Sequence, residues 1–358
     1  MKYEYWFSNL KGISGKRKKE IREKFPTTEA LYNIEETALK RNNIEEGEYK
    51  IIVESLRNWK LEEEYDAMIQ KGIQCVTIFD ACYPERLKNI SSAPYALYVK
   101  GKLPEENSPT VAIVGARECS AYGQTMASEF AATLAKEGVQ IISGMARGVD
   151  SASQESALEA GGTSFGVLGC GVDICYPKEK ISLYMRLQER GGLLSELPPG
   201  TPPQKCYFPA RNRIISGLAD AVLVMEAKPG SGSLITVDMA LEQGKDVYAL
   251  PGPVGSLLSR GCNELIRQGA GILLSPQDLM EELQIASSKE EKKSGTKKIL
   301  LETEENIVYS CLDFYPRNLE ELIQTTGLDI SQLMAALMSL ELKGFIAEIS
   351  KNYYVKAK

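Results

Sequence analysis

From residue 110 onward, short apolar runs alternate with amphipathic segments, and this alternation restricts the chain more than any other feature. The runs are Val111–Val114, Val139–Ile142, Phe165–Leu168, Leu193–Ser195, Ala221–Met225, Asp246–Leu250 and Gly271–Leu273. Helical patterns lie between them, among them Gly123–Lys136, Ser151–Ala160, Lys178–Gln188, Leu234–Gln243 and Cys262–Gln268. Strands that are apolar on both faces must be covered on both faces. Joined by helices, they predict an α/β fold with a doubly wound, mostly parallel, Rossmann-like sheet.

The flanks differ. Residues 1–65 read as short helices, a small N-terminal domain. Its turn Gly12-Ile13-Ser14-Gly15 has the Gly-x-x-Gly form of helix-hairpin-helix or SAM-like domains. Such a turn serves equally as a DNA contact or as an ordinary junction. Residues 66–109 form a connector with two strands, Gln74–Ile78 and Ala96–Gly101, that opens a Rossmann-like core ending at 283. Residues 284–299 are polar, charged and free of aromatics, which is linker composition. Residues 300–358 show three helical patterns and then a hairpin around Lys351-Asn352, the order of a winged helix. Its tip has no glycine, and a protein-contact role is at least as strong an expectation as duplex reading.

The chain has no histidine. Serine–histidine and cysteine–histidine catalysis are therefore excluded, as are histidine-bound metals. The eight cysteines include no CxxC pair and read as reduced thiols. No metal and no cofactor is expected. No run reaches the roughly 20 apolar residues of a membrane span. The start, MKYEYWFSNLKG, has no secretory pattern, which leaves the cytoplasm as the expected location. Net charge is −6, and residues 110–282 hold 14 basic against 19 acidic side chains. Any site for a polyanion must be a local patch.

Loops that follow parallel strands gather at one edge of the sheet, where ligands bind in this fold class. Four of them stand out. Gly115-Ala116-Arg117 places an arginine directly after the first Rossmann strand, and its planar fork suits phosphate oxygens. Ser143-Gly144-Met145-Ala146-Arg147-Gly148 precedes a helix, and its small residues are expected to turn backbone amides outward, with Asp150 or Ser151 as the cap. Lys228-Pro229-Gly230-Ser231-Gly232-Ser233 opens another helix and is the strongest candidate phosphate cradle. It lacks the lysine of a Walker loop. Phe208-Pro209-Ala210-Arg211-Asn212-Arg213 sets two arginines around an asparagine at a helix start. Nearby Lys205, Tyr207 and Tyr176-Pro177-Lys178 interleave cations with aromatics, a mixture suited to stacked bases and a tracked backbone.

Val111-Ala112-Ile113-Val114-Gly115-Ala116-Arg117, Ser143 through Asp150, Arg211 through Leu218, and Gly230 through Thr236 followed by Ala240-Leu241-Glu242-Gln243-Gly244 together resemble the DNA-processing protein A (DprA/Smf) family. The resemblance extends to both terminal domains. It implies a non-enzymatic protein that binds single-stranded DNA, protects incoming strands during natural transformation in competent cells, loads the RecA recombinase for recombination and acts as a dimer. It further implies phosphate contacts by Arg117 and Lys178, a cation–aromatic pair in Lys205 and Phe208, and dimer and RecA contacts around Cys262–Ile266, with Leu265 and Ile266 buried between subunits.

The alternative is an enzyme of the nucleotide phosphoribohydrolase type, which shares the fold class. Its Pro-Gly-Gly-x-Gly-Thr-x-x-Glu loop would fall on Gly232–Thr236, with Thr236 where the catalytic glutamate belongs. That substitution removes the base.

Overall fold

The computed structural model describes residues 1–35, 39, 42, 44–285, 303–313 and 315–356. The chain divides into two compact units, one of Met1–Cys119 and Ala127–Ala286, the other of Ser120–Met126 and Ser287–Lys358.

The first unit is built on β1 (Ile73–Thr77), β2 (Ala96–Gly101), β3 (Thr110–Val114), β4 (Gln140–Ser143), β5 (Ser164–Val167), β6 (Gly191–Ser195), β7 (Ala221–Val224), β8 (Asp246–Ala249) and β9 (Gly271–Ile272). They form one sheet in the order β1-β2-β6-β5-β4-β3-β7-β8-β9. β3 to β9 pair in parallel, with Val111 opposite Ala221 and Val114 opposite Val224 at the centre. The two connector strands add an antiparallel edge, through Tyr98 opposite Ser195 and Ile73 opposite Lys100. β3, β4, β5 and β7 are buried along their whole length, as expected for strands with helices on both faces.

Expected strands lie within one or two residues of the observed ones. The helix expected over Cys262–Gln268 is longer and begins at Leu257. A helix Pro276–Glu282 follows β9, capped by Ser275, whose side chain accepts from the Asp278 amide at 3.1 Å.

The N-terminal helices are not a separate body. Tyr5, Trp6 and Phe7 are buried in the same core as Leu97, Tyr98 and Val99 of β2. Tyr98 stands edge-on to Tyr5 at 6.1 Å, and its hydroxyl meets the Ser8 hydroxyl at 2.7 Å. Trp6 donates to Ser55 at 2.8 Å. Ser14 caps the helix Gly15–Arg22. Within that helix Lys18 is buried and donates to the Ser8 carbonyl at 2.5 Å. Burial pulls its ammonium down to about 8.

In the second unit, the helices Thr303–Cys311, Leu319–Thr326 and Ile330–Leu342 surround Val308, Leu322, Leu333, Leu337 and Leu340. β10 (Arg317–Asn318), β11 (Ile346–Ser350) and β12 (Tyr353–Lys356) form a sheet in the order β10-β12-β11. The β11–β12 turn reverses without glycine because Asn352 takes a φ of +64°, a conformation asparagine tolerates. This is the expected winged helix. The expected linker lies, from residue 286 on, outside the described residues.

The eight cysteines are unpaired. Among the described residues no helix is long and apolar enough to cross a membrane.

Candidate nucleic-acid interface

From β3 the chain crosses to β4 on one side, and from β7 it crosses to β8 on the other. Neighbouring strands whose connections diverge leave a crevice beyond their carboxyl ends. A cleft of about 610 Å³ occupies that crevice. Gly115 and Arg117 line it from the loop after β3, and Lys228, Ser231, Gly232 and Ser233 from the loop after β7. The third wall is the helix Tyr207–Leu218, where Phe208, Arg211, Asn212 and Ile215 share one face by helical spacing. Lys205 closes that wall. Four cations, Arg117, Lys205, Arg211 and Lys228, face two carboxylates, Glu118 and Asp150.

The aromatic side is stacked. The Arg117 guanidinium lies over the Phe208 ring, 5.7 Å from its centre. On the same ring packs Tyr176, at 5.4 Å and 30°. An exposed ring and a half-buried one, with an exposed arginine, make a platform for flat, electron-rich groups.

The floor is polar and buried. Arg211 donates through one terminal nitrogen to the Val167 carbonyl. Its buried Nε has no partner among the described residues. Burial pulls Arg211 down to about 10, Asp150 opposes that shift and Arg117 adds to it. The guanidinium therefore remains charged at neutral pH. Asp150 is pushed up by burial, and Arg211 and the Ala146 and Gly144 amides resist.

The loop at 143–148 departs from its expected role. Three of its amides are engaged inside the protein instead. Gly144 and Ala146 donate to Asp150 at 3.1 and 3.4 Å, and Met145 donates to Gln154 at 3.1 Å. Ser143 is buried and gives its hydroxyl to the Ile113 carbonyl at 2.6 Å. The nest of amides is filled by the carboxylate of Asp150, which lines the cleft together with Arg211. The glycines have tighter reasons to be there than phosphate access. A side chain at Gly144 would collide with the Arg211 guanidinium, and Gly148, at φ +73°, would collide with the Ala116 carbonyl. Asp150 lies inside the helix Val149–Glu159, and Gly148 holds the cap position.

The loop at 230–233 keeps the expected geometry. Ser231 stands at the cap position of the helix Gly232–Glu242 without a side-chain cap bond. The first-turn amides of such a helix lack intrahelical partners, which suits an anion. Ser231 and Ser233 share a hydrogen bond of 2.8 Å, and Asn212 donates to the Gly232 carbonyl at 3.2 Å. Gly230 takes a φ of +73° just before this turn.

Three expected contacts fall outside the cleft wall. Arg213 emerges two residues past Arg211, on another side of its helix. There it donates to the Ser92 carbonyl at 2.9 Å and to Glu196 at 2.8 and 2.5 Å. Arg147 pairs with Glu179 at the surface. Lys178 opens the exposed turn Lys178–Lys180. Leu265 and Ile266 are half-buried and pack on their own core. The large apolar side chains left exposed nearby are Val254, Leu257, Ile272 and Leu274.

The family pattern described as DNA recombination-mediator protein A matches residues 74–284, which includes the whole cleft. The chain belongs to the DprA/Smf family. The pattern described as the DprA winged helix domain matches residues 293–350. The DNA processing protein DprA of Streptococcus pneumoniae is 43% identical over 222 residues, 61% of this chain and 78% of that protein. The X-ray structure of DprA from Streptococcus pneumoniae superimposes with a TM-score of 0.68 at 34% identity, over 79% of this chain and 98% of that one. A structure of DNA processing protein A from Helicobacter pylori, described for its single-stranded DNA binding mode, superimposes with a TM-score of 0.54 at 29% identity, over 60% and 97%.

Proposed function

We propose that this DprA/Smf-family chain binds single-stranded DNA in the cleft between β3 and β7 and works stoichiometrically, without catalysis. The observation that carries this reading is the Arg117–Phe208–Tyr176 stack set beside Lys205 and Lys228. Bases stack on the rings, phosphates pass along the cations, and neither contact depends on sequence. The Helicobacter pylori relative, described as binding single-stranded DNA, supports the reading. Arg211 places a buried positive charge at the floor, beneath the path of the phosphates.

In the cytoplasm, the bound strand would be protected during natural transformation and passed to a RecA recombinase. This part rests on family membership. A homodimer would use Leu265 and Ile266, which are only half-buried, together with the exposed Val254, Leu257, Ile272 and Leu274.

The test is fluorescence anisotropy with a labelled single strand and a duplex of equal length, run beside a nucleotide-hydrolysis assay. The expected result is tighter binding of the single strand, no turnover, and a log–log salt slope of about −0.7 per phosphate contacted. Turnover of nucleotides, or equal affinity for both DNA forms, would overturn the reading.

A further inference from the structure

The winged-helix unit has an apolar face that its own fold leaves uncovered. In the helix Ile330–Leu342, Leu333, Ala336, Leu337 and Leu340 enter the unit's core. On the outward side Ile330, Met334, Met338 and Leu342 are 57, 41, 67 and 83% exposed. Their spacing of four residues sets them in one stripe. This is the third helix of the fold, the one placed in the major groove by winged helices that read duplexes. Groove reading needs side-chain donors and cations. This helix contains no lysine or arginine.

The border of the stripe is acidic. Glu341 lies on the helix and accepts from the Glu348 amide of β11 at 3.3 Å. Asp329 caps the start of the helix. Glu304 holds the other flank, accepting from Gln332 at 3.0 Å. Residues 303–356 carry eight carboxylates against four cations. Three of those cations are occupied: Lys343 pairs with Glu305 at 2.5 Å, Arg317 with Asp313 at 3.3 Å, and Lys356 lies over the Tyr309 ring at 4.4 Å.

We propose that this face docks an amphipathic helix of another protein, apolar along one side and basic along its flanks. An apolar stripe is the counterpart of a helix laid in a groove, and methionines adapt their shape to the partner. The acidic border chooses among occupants. A second copy would bring carboxylates against carboxylates, and nucleic acid would bring phosphates against them, both of which are repulsive. Basic flanks are attracted. The proposal does not depend on the function proposed for the cleft.

The test uses the full-length protein and a labelled synthetic helix of about five turns, with leucine and phenylalanine on one face and lysine and arginine on both flanks. A control peptide carries glutamate at every basic position. The expected result is saturable binding of the basic peptide, weakened about tenfold or more by Met338→Gln with Leu342→Gln and similarly by the glutamate flanks. Both substituted positions are exposed, and unchanged single-strand affinity and circular dichroism show that the variant is intact. Absence of binding, or equal binding by the variant, would overturn the proposal. Concentration-dependent self-association that the variant loses would assign the face to a second copy instead. Duplex binding that the variant loses would assign it to nucleic acid.

Discussion

Asp150 and Arg211 are both buried at the floor of the cleft, and each is the other's largest charge partner. Removing one takes away the opposite charge that best offsets the other's burial, which costs stability. Asp150→Asn and Arg211→Met are each expected to lower the urea midpoint strongly. The double variant should recover part of that stability while single-strand binding stays weakened, because the floor cation is gone. A double variant no more stable than the singles would show that the two charges are not coupled.

Arg117 extends from the β3 loop over Phe208, and among the described residues it makes no ion pair. Arg117→Ala should weaken single-strand binding about tenfold or more, since a charge-assisted bond contributes about 1.5–3 kcal/mol. Arg117→Lys should restore part of the loss, because a point charge lacks the fork. The melting temperature should barely move. Unchanged affinity in folded Arg117→Ala would place the strand elsewhere.

Phe208 and Lys205 are expected to fail in different ways. Phe208→Ala removes a stacking surface worth about 1–3 kcal/mol per base and should leave the salt slope unchanged. Lys205→Ala should flatten the slope by about 0.7. Titrations at four salt concentrations separate the two. A flattened slope for Phe208→Ala would mean that the ring positions a cation rather than a base.

Lys18 makes the N-terminal packing sensitive to pH. Its folded value of about 8 lies below the ordinary 10.5, so between these values the unfolded chain binds more protons than the folded one. Stability from this group therefore rises with pH above about 8 and is reduced below it. Lys18→Met should stabilise the protein at pH 7 by on the order of 1–2 kcal/mol, and the advantage should shrink as pH approaches 9.5. A difference that stays constant with pH would show that the gain comes from packing alone.

Much of this architecture was legible in the sequence, for physical reasons. Apolar runs such as Val111–Val114 are long enough to be buried on both faces, and helical patterns separate them, so strands and their parallel order followed. The loop 230–233 was legible because a turn followed by a helix start has few alternatives. Two things were not. Arg211 and Arg213 are alike in sequence, yet a step of two residues on a helix sends one to the cleft floor and the other to Glu196. The loop 143–148 has the composition of an anion nest, and composition does not reveal that Asp150, a few residues along, is the anion that fills it. Lys228 stood within the quoted loop, and only the fold shows that it faces the cleft. The N-terminal helices were expected as a small domain because they read as short helices set ahead of a connector. Their partner surface, β2, lies in a segment that reads as a connector.

The antiparallel pairing of β2 with β6 also sets an order of events during synthesis. Tyr98 leaves the ribosome well before its opposite number Ser195, and the interval between them is roughly 5–20 s at ordinary elongation rates. Throughout that time β1, β2 and the helices that carry Trp6 and Phe7 can already pack on one another, while the edge of β2 that pairs with β6 stays open. An unpaired strand edge of this kind invites pairing with another chain, so the interval before β6 arrives is the one in which the nascent chain is most exposed to aggregation.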